Sequence, residues 1–113
     1  MTTTDAGSAQ SRRAIAADHP AFAGHFPGTP LLPGVALLAE VLEAARAHPE
    51  PARRLAAGVA LETAKFLAPV RPDAELALAL DWDDAGLRFE IRTGEGAIAA
   101  KGRWRWLPEA ASS

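Results

Sequence analysis

His25 opens the run His25-Phe26-Pro27-Gly28-Thr29-Pro30-Leu31-Leu32-Pro33-Gly34-Val35, in which three prolines and two glycines carry one imidazole to the start of an apolar helix. Each proline fixes φ near about −65° and lacks a backbone donor, while glycine accepts geometry that other residues resist, so the segment reads as a stiff loop. An imidazole with an ordinary pKa of about 6.5 is largely neutral near pH 7 and able to accept a proton. Gly34, nine residues later, begins the helix. There, unpaired N–H groups and the positive end of the helix dipole point toward any developing oxyanion, and no side chain blocks the approach. The stiffness of the loop implies that the position of His25 relative to this helix start matters beyond connectivity.

The other ionisable residues divide into a candidate and its bystanders. Glu40 is the first carboxylate of the helix, and with Glu43 and Arg46 it fits an ordinary solvated face, Glu43 pairing with Arg46. His19, in the turn Asp18-His19-Pro20, is accounted for by a backbone hydrogen bond, and His48, beside Pro49, by the helix C-terminus. The parity of Glu62 is ambiguous, which leaves it outside the candidate site. Trp82, Trp104 and Trp106 fit core or dimer-interface anchors better than ligand platforms. Arg53, Arg54, Arg71 and Arg103 lie on segments that could meet at a pocket mouth, though scattered arginines ordinarily mark a solvated surface.

The elements that must position these residues follow from pattern. Arg12 to Ala17 reads as a first short strand. From Val35 to Ala47 the sequence VALLAEVLEAARA consists almost wholly of strong helix formers, with Pro33-Gly34 before it and Pro49 after it. Val35, Leu38, Leu42 and Ala45 follow the spacing of a buried stripe. Glu50 to Arg54 reads as a polar connection and Leu55 to Leu67 as a strand. Leu76, Leu78, Leu80 and Trp82 alternate with polar or small residues up to a turn at Asp83-Asp84-Ala85-Gly86. Leu87, Phe89 and Ile91 alternate up to a second turn at Thr93-Gly94-Glu95-Gly96, and Ile98, Ala100, Gly102, Trp104 and Trp106 alternate after it. Short turns make these strands antiparallel neighbours whose apolar face must be covered by the one long helix, an α+β layout.

With 113 residues, 49% hydrophobic and 23% charged, the chain has the composition of one globular domain. We expect a loosely ordered tail over 1–10, a single domain over 11–108 and a second tail over 109–113. A net charge of −2 gives no overall basic field, which argues against nucleic acid as a partner. Cysteine is absent, which excludes disulfides and thiolate sites. With short apolar runs only and no leader-like start, the expected location is the cytoplasm, without membrane insertion. No metal or other cofactor is expected. A domain this small, with an incompletely covered sheet, favours a dimer.

The pattern HFPGxPxxPGV, preceded by His19-Pro20-Ala21-Phe22-Ala23-Gly24, resembles the 3-hydroxyacyl-[acyl-carrier-protein] dehydratases of the FabZ and FabA family, especially their short ApeI-like relatives. Lys65-Phe66-Leu67-Ala68-Pro69-Val70-Arg71-Pro72 resembles that family's K/R-F-x-x-P-V-x-P segment, so the likeness runs from about 12 to 107. It implies a hotdog fold, with an antiparallel sheet wrapped around one long central helix, and dehydration of a carrier-bound 3-hydroxyacyl thioester to a trans-2-enoyl thioester. It implies His25 as the base and the Gly34 and Val35 amides as the oxyanion site, with Phe26 and Pro33 lining the substrate. The pocket would lie between two subunits of a homodimer, or of a heterodimer with another hotdog chain, and the carrier protein would be the partner that delivers substrate.

One position departs from that pattern. The family carries an acid fourteen residues after the histidine, and here Ala39 stands there, with Glu40 next to it. One step along a helix turns a side chain by about 100° and moves it about 1.5 Å. Three outcomes follow: Glu40 reaches the pocket, another acid or a water serves, or the protein binds acyl chains or their carrier without dehydrating them. A hotdog thioesterase is a further alternative, against which the proline-glycine loop argues.

Overall fold

The computed structural model describes residues 6–15, 34–71, 74–94 and 96–108. His19, His25, Phe26 and Pro33 lie outside them, as do both chain ends. The described elements are, in chain order, β1 (Gly7–Ala14), α1 (Gly34–Ala45), α2 (Pro49–Ala57), β2 (Val59–Phe66), β3 (Glu75–Trp82), β4 (Gly86–Thr93) and β5 (Ile98–Trp106). The five strands form one antiparallel sheet in the order β1-β3-β4-β5-β2, so β1 and β2 are its edges.

Alternation puts Leu76, Leu78 and Leu80 of β3 and Leu87, Phe89 and Ile91 of β4 on one face, joined by Ala100, Trp104 and Trp106 of β5. Leu37, Val41, Ala44 and Ala45 of α1 belong to the same buried cluster, so the sheet's apolar face is covered by this helix, as the pattern predicts. Trp104 and Trp106 are core residues, and Trp82 packs on the core's margin. The turn between β3 and β4 is held by Asp83, whose Oδ1 accepts the backbone N–H of Ala85 at 2.8 Å and of Gly86 at 3.0 Å. The carbonyl of Asp83 accepts the indole N–H of Trp106 at 2.8 Å, which ties this turn to the end of β5.

The structure differs from the sequence pattern in four places. β1 begins at Gly7, well before Arg12, because pairing with β3 across Gly7↔Trp82 to Ala14↔Glu75 recruits residues that have little strand signal of their own. The buried stripe of α1 is Leu37, Val41, Ala44 and Ala45, with Leu38 and Leu42 on its flanks and Val35 exposed. Glu40 and Glu43 are the polar residues within this helix, and Glu40 turns toward Arg13, so the solvated face they suggest fixes its rotation only loosely. The expected polar connection after it is a second helix, α2, with Pro49 in its first turn and Glu50 accepting from Arg54 Nε at 2.9 Å. It ends at Gly58, whose φ of 110° few other residues adopt.

The fourth difference is that alternation breaks twice. The register of β2 on β5 shifts between Leu61 and Thr63, leaving Glu62 as the extra residue, and that of β4 on β5 shifts between Ile91 and Arg92, which buries Ala99 beside Ala100.

Candidate active site

Gly34 is the first residue of α1, and it sits against the end of β2. A Cβ at this position would lie 2.8 Å from the tip of the Phe66 ring, so the ring rests on the bare Cα of the helix start. The first four N–H groups of a helix have no acceptor within it, and here glycine lets an apolar wall stand directly beside them. That wall continues outward. Val35 is 74% exposed, Leu67 55%, Phe66 50% and Leu61 41%, the large exposed apolar residues of the described chain. Val35 and Phe66 flank the helix start, and Leu61 and Leu67 extend the exposed apolar surface along the edge strand β2 and just past its end.

The acid position lies elsewhere on α1. Ala39 is exposed and presents a methyl group, while Glu40 is half-buried and its Oε1 accepts a hydrogen bond from Arg13 Nη1 at 3.3 Å. Arg13 stands on the inner face of β1, opposite Leu76. Glu40 is therefore drawn to the β1 edge of the sheet, whereas Gly34 abuts the β2 edge. The structure brings together Gly34, Val35 and Phe66 and ties Glu40 to a separate partner. Sequence reasoning assigned Gly34 and Val35, but placed Phe66 only in a motif; the missed signal was the pairing of a bulky ring with a glycine that it covers.

The remaining candidates disperse. Arg53 and Arg54 hold Glu50 on α2, and Arg54 also reaches Asp84 at 3.1 Å. Arg103 binds Glu62 at 2.9 Å on the face of the sheet away from α1, and Arg71 is exposed beyond β2. The four arginines therefore do not meet at one mouth. The ring of His48 lies on Trp82 with centroids 5.4 Å apart, and the backbone N–H of His48 donates to the Ala45 carbonyl at the end of α1. Glu43 pairs with Arg46 at 3.8 Å. Among the described residues, no three His, Asp or Glu come together around a metal-sized site, and no helix is long and apolar enough to cross a membrane.

Comparison with known proteins bears directly on this arrangement. A family model described as ApeI-like, ApeI dehydratase, matches residues 1–103. The chain belongs to the ApeI-like family. Among curated relatives, the 3-hydroxyacyl-[acyl-carrier-protein] dehydratase FabZ of Chloroflexus aggregans is 36% identical over 96 residues, covering 81% of this chain and 64% of its own. That of Thermomicrobium roseum is 30% identical, covering 78% and 60%. The chain thus spans less than two thirds of the length of either relative.

Among solved structures, the dehydratase heterocomplex ApeI:P from Xenorhabdus doucetiae superposes with a TM-score of 0.70 at 29% identity, over 87% of this chain and 85% of that one. The (R)-hydratase of A. caviae shares the fold alone, with a TM-score of 0.63 at 20% identity, over 87% and 91%. The ApeI-like chain has the hotdog fold that its sequence implies.

Proposed function

We propose that this ApeI-like chain is a 3-hydroxyacyl-[acyl-carrier-protein] dehydratase-like protein, acting on an acyl chain laid along the apolar rim at the start of α1. The observation that carries the reading is Gly34 beneath the Phe66 ring, a helix start stripped of its own side chain and walled by apolar groups. His25 takes the proton from the substrate Cα. The charge that moves onto the thioester oxygen meets the Gly34 and Val35 amides, a role in which one donor is typically worth about 3 kcal/mol. The C–O bond at C3 then breaks, and the departing hydroxyl needs a proton to leave as water.

That proton is the step that this chain supplies least well. Glu40 reaches the hydroxyl only by giving up Arg13, so water or another acid donates and turnover is slow, general acid catalysis being worth about 10²–10⁴-fold. Ala39→Glu places a carboxylate at the family's acid position and raises the rate of enoyl formation from a 3-hydroxyacyl thioester. An unchanged rate contradicts this assignment of the missing role.

The exposed methyl of Ala39 also favours a second reading, in which the chain binds an acyl chain or its carrier without dehydrating it, alone or beside a second hotdog chain that supplies the acid. Mixing with such a chain separates the two readings: activity present only in the mixture favours the second. The unit is a dimer, soluble and cytoplasmic, formed along the apolar β2 edge.

A further inference from the structure

Val35, Ala39 and Glu43 are spaced by four along α1, and all three are exposed, whereas Leu37, Val41, Ala44 and Ala45 face the core. Residues four apart on a helix are surface neighbours, one turn beyond another. This outward stripe therefore begins at an exposed residue of the oxyanion site, passes the position where Ala39 replaces an acid, and meets a carboxylate one turn later. Glu40 and Glu43 are the carboxylates of α1, and only the second lies on the stripe. The Glu40 side chain is 20% exposed and drawn to Arg13, while that of Glu43 is 61% exposed.

We propose that Glu43 is the catalytic acid that protonates the departing hydroxyl, an inference that rests on the dehydratase reading proposed above. On a helix the Cα–Cβ bonds tilt toward the N-terminus, so a long side chain can cover the turn before its own. For Glu43 that turn is the one of Ala39, where a methyl group leaves room for a carboxyl. Its neighbour Arg46 stands at 3.8 Å, and both side chains are more than half exposed, so solvent screens the pair and the carboxyl leaves it at little cost. In the step itself, His25 takes the Cα proton and the pair of that C–H bond becomes the new C=C bond. The C3–O bond breaks with its electrons on oxygen, protonated Glu43 gives that oxygen its proton, and water departs. The imidazolium proton returns to the carboxylate through solvent, which restores both groups. Standing about 6 Å farther along the axis than position 39, Glu43 supports only slow turnover.

The test follows enoyl absorbance from a 3-hydroxyacyl thioester with the full chain, with Glu43→Gln, and with the same pair carrying Ala39→Glu in addition. Glu43→Gln keeps the size of the side chain but not its acidic proton, and lowers kcat at least about tenfold with KM within about twofold. Once Ala39→Glu supplies an acid, Glu43→Gln changes kcat by no more than about twofold, a suppression that a merely structural residue would not show. Circular dichroism melts confirm that all the variants fold. An unchanged kcat in Glu43→Gln, or equal losses with and without Ala39→Glu, overturns the assignment of Glu43 and leaves the dehydratase reading standing. Absence of enoyl product from the wild type overturns both.

Discussion

Gly34 and Glu40 sit on one helix and face opposite edges of the sheet, and each supports a prediction. In Gly34→Ala the new methyl meets the tip of the half-exposed Phe66 ring at 2.8 Å, a contact the ring relieves by swinging outward. The variant folds with little loss of stability but loses about 10-fold or more in kcat, because the methyl and the displaced ring crowd the amides. Thermal melts beside steady-state kinetics check this; a full loss of folding contradicts it. Glu40→Gln removes the charge from the pair with Arg13 while leaving an acceptor, and costs no more than about 1 kcal/mol while slowing turnover less than tenfold. A loss of 10²-fold or more would show that Glu40 is the acid after all.

At the scale of elements, the turn between β3 and β4 carries a pH dependence of known sign. Hydrogen bonds from the Ala85 and Gly86 amides hold the Asp83 carboxyl below the usual carboxylate range. Because the folded pKa is depressed, its contribution is complete above the unfolded pKa and is lost as pH falls through the folded one. Asp83→Asn is therefore less stable than the wild type at pH 7 by no more than about 1 kcal/mol, the carboxylate being screened by solvent, and the gap closes below about pH 4. Chemical denaturation at both pH values measures it, and a gap that widens in acid is the contrary result.

Elements also show where the sequence was legible. β3 and β4 were read residue by residue, because Leu76 to Trp82 and Leu87 to Ile91 alternate without interruption. α2 was missed because its stabilising signals, Pro49, the Glu50–Arg54 pair and Gly58, are polar or backbone features rather than an apolar stripe. The bulges at Glu62 and Ala99 have no local signature and arise from pairing. At the site, Gly34 was legible from its motif. The choice of Glu40 between pocket and β1 was not, since Arg13 lies 27 residues away in sequence.

For the whole molecule, the β2 edge with Leu61, Phe66 and Leu67 exposed, beside Val35 at the helix start, makes association the expected state. Sedimentation at micromolar concentration should give a dimer, and Leu61→Glu with Phe66→Glu should shift it toward monomer. A wild-type monomer contradicts the reading. In the proposed dimer the apolar rim would be enclosed as a tunnel for the acyl chain, where the helix amides would act in a drier and more strongly interacting environment. The most direct measurement is enoyl absorbance during incubation of a 3-hydroxyacyl carrier-protein thioester with the purified chain and with its His25→Ala variant. Slow enoyl formation by the wild type, abolished by the substitution, is the predicted result. No enoyl product from the wild type, or an undiminished rate in His25→Ala, would contradict it.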